Sequence, residues 1–182
     1  MPLINYVVNS FEQLHESMPV DLVITDGDDT LFPYGSPEPY VDSLGYLNML
    51  EPKQLVLVSG NPDELLAQAR ANSINADSYF VPSRRPQLVK YQLFAQAIAH
   101  AVREIDAVDS VVILGNRWCM DIVVAKLALQ RYAVPNVEGI LVQRHTAHEE
   151  IIDRFINPVQ YVGATALKKV GLDTVIRPRR TP

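Results

Sequence analysis

Three carboxylates crowd into four positions of the segment Val20–Tyr34, VDLVITDGDDTLFPY. A short apolar run, Leu22-Val23-Ile24, leads straight into Asp26, Asp28 and Asp29, and Thr30-Leu31-Phe32-Pro33 follows. A buried strand that ends in so much like charge is costly unless something compensates it. A divalent cation or a basic side chain is the usual compensation. Open parallel sheets bind ligands beyond the carboxyl ends of their strands. These residues therefore predict a metal-assisted site at the end of the first core strand. The alternative is an acidic turn leading into the next element, a role that Asp and Gly fill routinely.

The elements that would position such a site read as alternating strands and helices. Strands are expected over Asp21–Thr25, Gln54–Val58, Ser78–Val81, Ser110–Leu114 and Gly139–Val142, each short and apolar as a sheet covered on both faces requires. Between them, helices are expected over Pro39–Leu50, from Asn61-Pro62 to about Asn72, over Gln87–Glu104 and over Met120–Arg131. Thr146 with Glu149 forms a capping-box pattern that opens a last helix holding Ile151, Ile152 and Phe155. The prolines of Phe32–Pro39 exclude regular structure there. The order implies an α/β fold: a three-layer, Rossmann-like parallel sheet of about five strands with helices on both faces.

The chain of 182 residues fits one domain, expected over 20–170 after a lead-in, 1–19, and before a basic tail, 171–182. Hydrophobic residues are 48% and charged residues 20%, enough for an ordinary core. A net charge of −5 argues against a nucleic-acid partner. Lys168, Lys169, Arg177, Arg179 and Arg180 concentrate positive charge near the C-terminus, either as a solvated tail or as a peripheral contact with an anionic lipid surface. The lone Cys119 excludes an internal disulfide, no apolar run is long enough to span a membrane, and no signal-peptide pattern is present. The expectation is a soluble cytoplasmic protein.

Parallel topology then selects what lies at the strand ends. The first strand ends in Asp26 and Asp28, the second in Ser59-Gly60. Arg84, Arg85 and Lys90 follow the third, and Asn116 with Asp121 follows the fourth. Acids for a cation, a hydroxyl and basic groups for an anion thus fall on one edge. A calcium loop is excluded, since counting from Asp26 its glycine and glutamate positions hold Leu31 and Pro37. A receiver domain is excluded because the phosphoacceptor position after its third strand falls at Arg84-Arg85 here. The four histidines form no metal-ligand spacing.

Asp26-x-Asp28-x-Thr30-Leu31 resembles the first motif of haloacid-dehalogenase-type phosphatases. Ser59 is similar to their second motif, the basic loop to their third, and Gly115-Asn116-x-x-x-x-Asp121 to their fourth. The closer resemblance is to the YqeG-type branch, which includes the mitochondrial phosphatidylglycerophosphate phosphatases, and it covers roughly Pro19 to Val170. It implies a phosphatase in which Asp26 attacks phosphorus and forms an aspartyl phosphate. Asp28 would act as acid and then base. Thr30 would hold the loop and Asp28, and Ser59 would donate to the phosphoryl group, with Gly60 beside it. Mg2+ would sit on Asp26, Asp28, Asn116 and Asp121. Asn116 stands where the family usually has Asp, and the third-motif cation is Arg85 or Lys90. The rival expectation is a protein of this fold that binds a phosphorylated ligand or partner without turnover. The segments after the first two strands are too short for a substantial cap domain, which implies an open site and a large substrate such as a phosphorylated lipid headgroup.

Overall fold

Alternate residues of the central strands point to opposite faces, and each face builds its own core. The computed structural model describes residues 5–14, 20–82 and 90–144. Its strands are β1 (Tyr6–Val8), β2 (Leu22–Asp26), β3 (Gln54–Val58), β4 (Ser78–Phe80), β5 (Ser110–Gly115) and β6 (Asn136–Val142). All pair in parallel in one sheet of order β1-β6-β5-β2-β3-β4. The helices are α1 (Val41–Leu50), α2 (Glu64–Ser73), α3 (Lys90–Glu104) and α4 (Val124–Leu129), with a π-helical turn, Trp118–Val123, feeding α4. Leu22, Ile24, Val56, Val58 and Ile113 face a core shared with Phe94 and Ile98 of α3 and Ala125 and Leu129 of α4. Val23, Leu55, Leu57, Val112 and Leu114 face the other core, with Tyr46, Leu47 and Leu50 of α1 and Ala71 of α2. This is a three-layer, Rossmann-like α/β arrangement.

β2 lies at the centre and is buried along its whole length, Asp26 included. Fully burying a Leu, Val or Ile side chain contributes roughly 1.5–3 kcal/mol. Three such residues in one strand outweigh a single carboxylate, provided that the carboxylate finds partners. From β2 the chain builds outward through β3 and β4, then returns through β5 and β6 on the other side. The topological switch point, where doubly wound sheets open a crevice for ligands, therefore lies between β2 and β5.

Among the described residues the sheet has six strands rather than about five. The additional strand, β1, falls in the expected lead-in and pairs with β6 at the edge, Tyr6 opposite Ile140. Three residues, two of them exposed, give little periodic signal. Its position is secured by Asn5, whose Oδ1 accepts from Gly139 N at 3.0 Å and from Lys126 Nζ at 3.1 Å. The lead-in also holds a single 3-10 turn, Phe11–Gln13, with Ser10 as its cap. α2 starts later than its Asn61-Pro62 signal, because Asp63 is the cap, its Oδ1 accepting from Leu66 N at 3.0 Å. Arg84, Arg85, the Thr146 capping box with its helix, and the basic tail lie outside the described residues. Among the described residues no helix is long and apolar enough to cross a membrane.

Candidate active site at the carboxyl edge of the sheet

Register brings the sequence-predicted residues of three strands together. Asp26 pairs with Val58 of β3, so Ser59 follows directly beside it. On the other side Thr25 pairs with Leu114 of β5, which sets Gly115 next to Asp26 and Asn116 one residue beyond. Neighbouring strands lie about 4.8 Å apart, so Ser59, Asp26 and Asn116 share one edge at the switch point. Asp26 and Ser59 are buried. Ser59 Oγ accepts from Asn61 N at 3.1 Å, and Ser59 N donates to Phe80 O at 2.9 Å. Gly60 is exposed, with nothing within 4 Å of where a Cβ would stand. Lys90 is the first residue of α3.

The turn after Asp26 is built from its own backbone. Gly27 O accepts from Leu31 N and Phe32 N, both at 3.1 Å, and Asp29 N donates to Phe32 O at 2.7 Å. Asp29 has φ of 56°, in the left-handed region that Asp tolerates better than most residues. The third acid of the cluster is thus a buried turn-former, which accounts for its place in the sequence without a chemical role.

Asp28 is gripped from below by a residue that the sequence reading does not include. Arg70 of α2 is fully buried, and its Nη2 donates to Asp28 Oδ1 at 2.6 Å. Its Nε donates to Ser36 O at 2.7 Å, its Nη2 also to Pro33 O at 3.3 Å, and its guanidinium lies 4.9 Å from the Phe32 ring centroid. Gly35 N adds a second bond to Asp28 Oδ1 at 3.1 Å. The basic side chain that the acidic cluster requires therefore comes from α2. The signal was present: Ala67, Arg70, Ala71 and Ile74 fall at helical spacing on the buried face, and an arginine in that stripe must find an acid.

A second arginine holds the far side of the loop. Arg144, just past β6, donates through Nε to Thr30 O at 3.0 Å and through Nη2 to Asp42 Oδ1 and Ser43 Oγ, both at 3.0 Å. It stacks 3.8 Å from the Tyr40 ring centroid. Burial opposes ionisation of Asp42, but hydrogen bonds from Arg144, Ser10 and Phe11 N outweigh it and hold the carboxyl below its ordinary range. Thr30 is buried, and its hydroxyl makes no hydrogen bond among the described residues. Asp28 is therefore positioned by Arg70 and Gly35, while Thr30 anchors the loop through its carbonyl.

The β5 end is shaped around Asp121. Arg117 N donates to Asp121 Oδ2 at 2.8 Å and Asp121 N to Arg117 O at 3.0 Å. A Cβ on Gly115 would stand 2.4 Å from Asp121 Cβ, so only glycine lets this buried carboxylate lie against the end of β5. π-helical turns such as Trp118–Val123 recur at functional sites. Among the described residues no three His, Cys, Asp or Glu side chains gather as a metal site. The expected donor set has a different make-up: two carboxylates, Asp26 and Asp121, the backbone of Asp28 and an amide. Asn116 Oδ1 is buried with no hydrogen-bond partner among the described residues. A buried, unsatisfied oxygen beside a buried carboxylate is the donor chemistry that a hard divalent cation takes, so the residues fit Mg2+.

Comparison with protein-family models, with curated proteins and with solved structures finds no match. The functional reading rests on the geometry and chemistry of this edge.

Proposed function

We propose that the protein is a Mg2+-dependent phosphomonoester hydrolase of the haloacid-dehalogenase type, working through an aspartyl phosphate on Asp26. The observation that carries this reading is the register that aligns Ser59, Asp26 and Asn116 at the switch point, with Asp28 two residues beyond the nucleophile. An Asp26 oxygen bonds to phosphorus as the bond to the ester oxygen breaks. Asp28 gives a proton to the departing oxygen, then takes one from the water that cleaves the aspartyl phosphate, leaving an alcohol and inorganic phosphate. Among the described residues both hydrogen bonds to the Asp28 side chain fall on Oδ1, and a fifth of the side chain is exposed, so Oδ2 is the oxygen suited to move the proton. Ser59 Oγ accepts from Asn61 N and keeps its own hydrogen to donate to a phosphoryl oxygen. Asp26, the Asp28 carbonyl, Asn116 and Asp121 would hold Mg2+, which when bound offsets the charge on the phosphoryl oxygens. Arg85 or Lys90 supplies the remaining cation.

The segments 27–40 and 59–63 form a turn, a proline-bearing loop and a helix entry, with no inserted domain. A site with no insertion in these two segments suits a large substrate, such as phosphatidylglycerophosphate or another phosphorylated lipid headgroup, with the basic tail meeting the anionic surface. A second reading is a protein that binds a phosphorylated ligand without turnover. Asn116 in place of a carboxylate favours it. Purified protein with Mg2+ and an aryl phosphate separates the two. The enzyme reading expects hydrolysis that Asp26→Asn abolishes. Phosphate binding with no hydrolysis at any Mg2+ concentration supports the second reading.

A further inference from the structure

Arg70 is an unusual way to fill a helix stripe. Its neighbours on that face are Ala67, Ala71 and Ile74, all buried. A guanidinium taken out of water is costly even after relaxation, and an apolar residue of similar volume often serves stability as well or better. Nη1 is buried with no hydrogen-bond partner among the described residues, so the charge is not fully satisfied where it lies. It sits under the acidic loop, 3.1 Å from where a Cβ on Gly27 would be, and Gly27 is what lets the loop close over it. An arginine does here what leucine cannot: it sets an orientation. Its planar fork binds Asp28 Oδ1 through Nη2 and Ser36 O through Nε, and thereby ties the carboxylate to the Pro33–Ser36 segment.

We propose that Arg70 is a positioning residue for proton transfer by Asp28, fixing the carboxylate through Oδ1 so that Oδ2 gives and takes the proton. The inference rests on the phosphomonoesterase reading. It assigns Arg70 no contact with substrate and no part in holding the cation.

Dependence on the leaving group tests it. An alkyl alkoxide leaves poorly without a proton, whereas an acidic phenol leaves readily without one. kcat/KM reports the half-reaction in which the leaving group departs. We would measure kcat/KM for wild type, Arg70→Met, Arg70→Lys and Asp28→Asn on an activated aryl phosphate and on an alkyl phosphate, with thermal unfolding of each variant. General acid catalysis contributes about 10²–10⁴-fold. Arg70→Met is therefore expected to lose at least about tenfold more on the alkyl than on the aryl ester, moving toward the Asp28→Asn pattern. Arg70→Lys keeps the charge without the fork and shows the same skew at smaller size, and it decides the matter if Arg70→Met does not fold. Equal losses on both esters, with wild type active, make Arg70 a merely structural residue and overturn this inference alone. Wild type inactive on both esters removes the hydrolase reading and the inference together.

Discussion

At the residue scale, the three acids that look alike in the sequence have separate physical tasks. Asp26 ends a fully buried central strand, Asp28 is held by Arg70 and Gly35, and Asp29 turns the chain at positive φ. Their proximity was legible from spacing alone. The division between Asp28 and Asp29 came only from the motif resemblance, and its physical basis lies in which carboxylate meets a side chain 42 residues away. Glycines divide in the same way. Gly115 has Asp121 Cβ at 2.4 Å from its would-be Cβ, and Gly60 has open space. Overpacking of this kind costs roughly 1–3 kcal/mol, so Gly115→Ala should lose about that much in urea unfolding while Gly60→Ala stays near wild type. Equal stabilities for the two variants would mean that the end of β5 has room that its geometry denies.

At the element scale, strand positions followed closely from apolar runs, since a strand covered on both faces has few other ways to be written. β3 has the expected limits, and β2 and β5 run one residue further at their carboxyl ends. β1 escaped because an exposed edge strand of three residues carries almost no period. What joins the two strands flanking the switch point is also a polar contact. At the opposite edge of the sheet, Asp21 before β2 accepts from Asp109 N, Ser110 N and the Ser110 hydroxyl. The Lys53 hydrogen bond, with these added, outweighs burial and holds the Asp21 carboxyl down at about 2, from 3.8. A carboxyl depressed by folding stabilises above its unfolded pKa, and that contribution fades as pH falls through the folded one. Asp21 should therefore contribute fully above pH 3.8 and progressively less down to about 2. Asp21→Asn should lower stability at neutral pH and flatten the loss over that window in urea unfolding at stepped pH. An unchanged acid limb would remove Asp21 from the account of how β2 and β5 are joined.

At the scale of the whole molecule, the sheet keeps the Asp21–Lys53 ion pair at one edge and the candidate site at the other. Asp21 and Lys53 tie strands at the amino edge, and Asp26, Ser59 and Asn116 gather at the carboxyl edge. The gathering was legible because parallel order alone decides which loops meet. The partners of the clamps were not, because Arg70 and Arg144 reach the acidic loop from α2 and from beyond β6, at separations that no local pattern reports. The central claim is that this edge makes Asp26 a nucleophile toward phosphorus. Its most direct test is to mix the protein with Mg2+ and an aryl phosphate, quench in acid within a turnover, and map phosphate by mass spectrometry. The account predicts a base-labile phosphate on the peptide carrying Asp26, absent from Asp26→Asn. Turnover with that peptide unmodified, or phosphate trapped on another residue, would contradict it.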